Sequence, residues 1–240
     1  MDNNDIDDRW KLLNREAGLV SGLLASGLSS LKNVTKGDSF YYEAFYSLSL
    51  GIERALKLIL IVRNPKINLR NFNHNIHKLL VEAEIFYPDR SIEQKFISFL
   101  NDFANTNRYS ILDLLSSGRE DELLGEPVAV FSNSVALLIL ERHPFNEFKY
   151  FIHANFINLV HIEEDFNINS DSSQILAITQ KKQHIAKYSA MYVGRIIKPL
   201  FQALDELSGP EYGTPYFYEH FAYLKGDDSY FKKRKTFRSS

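Results

Sequence analysis

Apolar residues recur every three or four positions along most of the chain, with glycine and proline falling mainly between these blocks, a pattern that predicts long helices joined by short loops. Over residues 8 to 31, Trp10, Leu13, Ala17, Val20, Leu24 and Leu28 share one helical face, while Gly18, Gly22 and Gly27 weaken the helix. Asp38 or Ser39 is placed to cap a second helix running to about residue 63, with Pro65 just past its end. The two helices are expected to pack as an antiparallel pair. From Leu48 to Val62 the second helix is apolar almost all round, so it is the expected central element. Glu53, Arg54 and Lys57 interrupt it. Glu53 precedes Lys57 by one turn, the favourable order for a helical ion pair. If buried, such charges need further partners.

Asn73 or Asn75 is placed to cap a third helix through Phe86, closed by Pro88. Ser91 with Gln94 three residues on resembles a capping box opening a fourth helix to about Asn105. The polar stretch SSGREDELLGEP is the best internal boundary and divides the chain into regions 1–120 and 121–240, two units or one shared core. The second region supplies helical blocks over about 127–142, 145–166 and 172–208. An aromatic, turn-rich end follows Gly209 and is expected to pack on the bundle, since disordered segments are poor in aromatics. The fold class is therefore all-α, a multi-helix bundle with an additional C-terminal helical region.

Composition narrows the chemistry. Among 240 residues there is no cysteine, which excludes disulfides, thiolate metal sites and thiol nucleophiles, and points to a reducing cytoplasm. The opening MDNNDIDDRW has no apolar run, unlike a signal or transit peptide. LKLILIV and VALLIL are far shorter than the roughly 20 residues a membrane span requires, so no membrane partner is expected. The net charge of −2 argues against a wholly basic nucleic-acid binder, yet Lys232, Lys233, Arg234, Lys235 and Arg238 cluster near the end. That cluster reads either as a solvated tail or as a nucleic-acid patch.

No phosphate-cradling glycine loop, dinucleotide fingerprint, HExxH or GxSxG is present. His161 and Glu164 are three apart, with His153 and Glu163 nearby, but no second block repeats the Glu-x-x-His unit of a dimetal bundle. No metal and no cofactor is expected.

Three pieces in order, FYYEAFYSLSLGIERALKLIL, NHNIHKLL and FLNDFANTNRYSILDLL, resemble the HEPN superfamily (higher eukaryotes and prokaryotes nucleotide-binding) over about residues 36 to 117. The matching positions are Glu53, Arg54 and Lys57, then His77 with Leu80, then Arg108 and Tyr109. The resemblance implies an antiparallel helical core, a homodimer, and a prokaryotic phage-defence or toxin-type setting. In it, Lys57, Arg108 and Tyr109 contact nucleotide or RNA and Glu53 orients them, the guanidinium forking a phosphate and the phenol stacking on a base. Many members are metal-independent ribonucleases carrying Arg, four to six residues, then His. Arg70 and His77 meet that spacing, as charge stabiliser and acid/base. They lie before the third helix, whereas the family's nuclease pair opens a late helix. No histidine follows Arg108 within seven residues. Three readings stay open: a nucleotide- or RNA-binding protein, a metal-independent ribonuclease, and a helical adaptor that binds a protein partner through its aromatic end.

Overall fold

A computed structural model describes residues 3–105, 126–145 and 172–237, with side chains described from residue 8 and, in the last segment, from residue 178. Among these there are helices and turns and no strand, so the all-α class holds. Helix α1 spans Asn3–Lys32 and α2 spans Ser39–Arg63. Then come α3 (Ile76–Glu82) and α4 (Ile92–Asn105). In the second region α5 (Pro127–Phe131) runs through a π-turn into α6 (Leu137–Arg142). The long α7 covers Ser172–Glu206, and two short helices close the chain, α8 (Tyr218–Phe221) and α9 (Asp228–Lys233).

Helix α2 is the central element its sequence predicts. It packs against α1, α3, α4 and α7, and Leu48, Ile52, Ala55, Leu56, Leu58, Ile59 and Leu60 are buried. Its closest neighbour is α1. The glycines that weaken these helices in isolation are what let the backbones approach. A Cβ on Gly27 would lie 2.6 Å from Leu48 Cγ, and one on Gly51 would lie 2.8 Å from Leu24 Cδ2. Each glycine receives a leucine from the other helix, so the propensity cost is offset by interlocked packing. Arg54 fixes the register through a two-pronged contact with Glu16, at 2.8 and 2.6 Å. Trp10 departs from expectation: it lies beyond the contact and is exposed.

Local rules set the other helix ends. Asn75, rather than Asn73, caps α3, its side chain accepting from Lys78 N at 2.9 Å. That helix stops at Glu82 instead of Phe86, because Glu84 takes a positive φ of 55° and Phe86 is left exposed. At α4, Ser91 Oγ accepts from Gln94 N at 3.1 Å. Gln94 reaches back to Arg90 N at 2.6 Å, a capping box displaced by one residue.

One hydrophobic cluster runs from Leu13 to Phe237 and draws on both regions. Phe131 of α5 shows why: its ring lies 5.1 Å from Phe45 on α2 and 5.4 Å from Phe99 on α4. The aromatic end also belongs to this core, with Phe217, Phe221, Leu224, Phe231 and Phe237 buried. Phe237 exchanges backbone bonds with the Ser29 hydroxyl of α1, at 2.8 and 3.2 Å. Gly194 on α7 leaves the space that the Phe231 ring occupies. Tyr87 donates to Ile196 O at 2.6 Å, close to Pro199, where a helix interior lacks one of its own donors.

Candidate functional site

The rare charges of α2 meet the loop that precedes α3. Glu53 is buried, with 3% exposure, in a wall of apolar side chains. A carboxylate taken from water there needs compensation, and two groups supply it. Lys57 Nζ donates to Glu53 Oε1 at 2.6 Å, and His74 Nδ1 lies 3.0 Å from Glu53 Oε2. The further partner that a buried Glu53 demands is thus His74, three residues before the His77 that the resemblance singles out. Lys57 also donates to the carbonyl of Asn73 at 2.8 Å, which ties the loop to α2.

The end of α4 completes the clamp. Asn101 Oδ1 accepts from Ile76 N at 3.0 Å, satisfying one of the free donors of the first turn of α3. Asn105 Nδ2 donates to Asn101 O at 2.7 Å and to His74 O at 3.3 Å. Asn73 sits at φ 47°, a conformation that costs on the order of 1 kcal/mol and persists only where surrounding bonds hold it. Lys57 holds the Asn73 carbonyl, and Arg70 O accepts from the Asn73 N–H at 3.3 Å.

The imidazole of His74 is held on its Nδ1 side and its side chain is 56% exposed. Its Nε2 has no hydrogen-bond partner among the described residues. A carboxylate that orients one ring nitrogen and leaves the other facing outward is an arrangement suited to proton transfer or to donation to an anion.

Of the residues singled out in the sequence, Glu53 and Lys57 meet in this cluster. Arg108 and Tyr109 lie outside the described residues, as do Arg238, His153, His161, Glu163 and Glu164. Arg70 is exposed in the 3₁₀ turn Leu69–Phe72, and His77 is exposed in the first turn of α3. Neither has a carboxylate partner among the described residues. Sequence reasoning missed His74, Asn101 and Asn105. The signal for His74 was Glu53 itself, since a buried acid requires a donor, although nothing in the sequence says which loop supplies it. No group of three or more His, Asp or Glu side chains among the described residues is arranged to hold a metal ion.

The basic residues near the end are not equivalent. Lys233 and Lys235 are exposed. Arg234 is spent within the fold, donating to Thr236 O at 2.7 Å and to the Tyr230 hydroxyl. Its guanidinium stacks 5.1 Å from the Tyr230 ring centre. Lys232 turns the other way, with its ammonium 5.7 Å from the Tyr188 ring centre.

No family model, curated protein or solved structure matches the chain. No described helix is long and apolar enough to cross a membrane.

Proposed function

We propose that the chain is a HEPN-type nucleotide- or RNA-binding protein, cytoplasmic and homodimeric, of a prokaryotic phage-defence or toxin-type system. Its contacts to ligand phosphate are made where α2, the 73–75 loop and the end of α4 meet. The observation that carries this reading is the buried Glu53 carboxylate, which presents Lys57 and His74 together at the rim of an otherwise apolar helix. Lys57 retains a donor beyond its two bonds, and His74 offers Nε2. Arg108 and Tyr109, three and four residues beyond Asn105 in the sequence, are the proposed phosphate fork and stacking ring. Fluorescence anisotropy with a labelled single-stranded RNA tests this. Affinity is expected to fall with salt and to drop in Lys57→Gln and Arg108→Ala with the fold intact. Unchanged binding in both variants would dismiss the reading.

A second reading, the metal-independent ribonuclease, is favoured by one specific feature: the Glu53–His74 pair is built as a carboxylate-oriented imidazole. In that reading His74 joins Arg70 and His77 as a residue to be tested. Incubation of the pure protein with total RNA in a chelator decides it. Cleavage that disappears in His74→Ala or His77→Ala supports catalysis, and intact RNA rejects it.

A further inference from the structure

A second charged cluster lies far from the Glu53 site. Helix α1 ends at Lys32 close to where α2 begins at Ser39. Lys57 is eighteen residues further along α2, about 27 Å at 1.5 Å per residue.

Around Lys32 three elements bring amines together. Lys32 Nζ donates to the carbonyl of Lys232 on α9 at 2.9 Å, and no carboxylate pairs with it among the described residues. Lys187 and Lys232 place their ammonium groups 5.5 and 5.7 Å from the centre of the Tyr188 ring. His143 stacks flat on the same ring, with centroids 3.9 Å apart and planes 12° from parallel. His184 Nε2 donates to the His143 carbonyl at 2.7 Å, which joins it to this group.

Among the described residues, Asp228 and Asp38 spend their hydrogen bonds elsewhere, although Asp228 also feels the Lys232 charge. Asp228, on the same helix as Lys232, is held by Arg195 at 3.0 and 2.5 Å, and Arg195 also takes Glu93. Asp38 is paired with Lys182 at 3.2 Å. Cation–π contacts of this kind contribute about 0.5–1 kcal/mol at exposed sites and leave the net charge in place. The positive charge has an electrostatic consequence in the groups themselves. Burial, then the neighbouring Lys187, lowers Lys32 to about 8. Burial, then His184, Lys232, Arg195 and Arg142, lowers His143. Excess cation beside a stacked aromatic pair is the complement of an oxyanion attached to a planar base.

We propose that Lys32, Lys187 and Lys232, grouped around Tyr188, form a phosphate-binding site separate from the Glu53 cluster and independent of it. The shared chemistry is a phosphate oxyanion, carried by a polynucleotide backbone or by a free nucleotide. Lys187 is exposed and Lys232 half-buried, so both can be changed without opening the core.

The test uses the full chain, titrated with a labelled single-stranded RNA, with ADP and with inorganic phosphate. Each titration is repeated in Lys187→Gln/Lys232→Gln and in Lys57→Gln. The double variant is expected to weaken binding about tenfold or more and to flatten the RNA salt dependence by about 1.4 in log–log slope, two phosphate contacts' worth for a single strand. The loss is expected equally in chains with and without Lys57→Gln, and the Lys→Arg double variant is expected to keep binding. ADP that binds and competes with RNA identifies a free nucleotide as a sufficient ligand; RNA that binds where ADP does not identifies the backbone. Absence of binding to all three probes, a double Gln variant that binds like wild type, or complete loss of binding from Lys57→Gln alone overturns the proposal.

Discussion

Glu53 and Lys187 each sit in a cluster of charges on a helix of the same core, and the two clusters are balanced differently. Around Glu53 one buried carboxylate faces one ammonium and one imidazole, and the loop at Asn73 is pinned as a result. Around Tyr188 three amines and two imidazoles share aromatic faces and backbone carbonyls, while the nearby acids serve Arg195 and Lys182. The first arrangement spends most of its charge on the fold and leaves one ammonium donor and one imidazole edge over. Among the described residues, the second leaves positive charge without a hydrogen-bonded carboxylate. A charge cluster is therefore read by its residual: a neutralised one orients, and an unneutralised one attracts.

The contrast can be broken most severely from beneath the second cluster. Phe231→Ala empties the space over Gly194 that seats α9. It is expected to cost about 3–5 kcal/mol in denaturant unfolding and to disperse the amines, whereas a loss below 1 kcal/mol would mean that α9 is held chiefly by its polar contacts.

Next in size is Glu53→Ala. Lys57 loses its carboxylate while remaining largely covered, 23% exposed, and the expected loss is about 2 kcal/mol. Proton exchange at the backbone of residues 73–76 should accelerate with it. A stable variant with unchanged exchange would show that the loop is held by Asn101 and Asn105 alone.

A smaller effect appears with pH. Between pH 8 and 10.5 the unfolded chain keeps the Lys32 proton that the folded chain has lost, so this group's contribution to stability rises with pH across that window. Wild-type stability measured against Lys32→Met should increase from pH 8 to 10.5. Ligand binding at the cluster should move the opposite way, falling as pH rises through about 8. A flat difference in stability would mean that the ammonium is not desolvated.

The smallest effect carries the sharpest sign. Lys187→Ala removes a charge that raises the cost of protonating Lys32. It is expected to be neutral or stabilising by about 0.5 kcal/mol or less, the reverse of Glu53→Ala, while weakening RNA binding. Destabilisation by Lys187→Ala would place that side chain among the fold's supports and erase the contrast.

Periodicity placed the helices from α1 to α7 but not the short α8 and α9, and it made α2 the centre, because a helix apolar on every side has no stable position except between others. Capping chemistry was equally local: Asn75 and Ser91 act through bonds to residues three positions away. The misplaced end of α3 came from Glu84, whose positive φ no residue type announces. Of the candidate sites, the Glu53–Lys57 contact was legible since one helical turn fixes it, whereas Asn101 and Asn105 were not.

What the chain dictated by itself was most of its helices, the burial of α2 and the need of Glu53, once buried, for a partner. Its sequence could not say which partner, because His74 reaches Glu53 only when α3's preceding loop is clamped by α4. Nor could it separate Arg234, folded back on Tyr230, from Lys232, turned toward Tyr188: two cations only two positions apart diverge once a packed ring, Phe231, seats the helix that leads into them. Local bonds span a turn and can be read in order along the chain, while charge balance depends on which surfaces the core brings face to face.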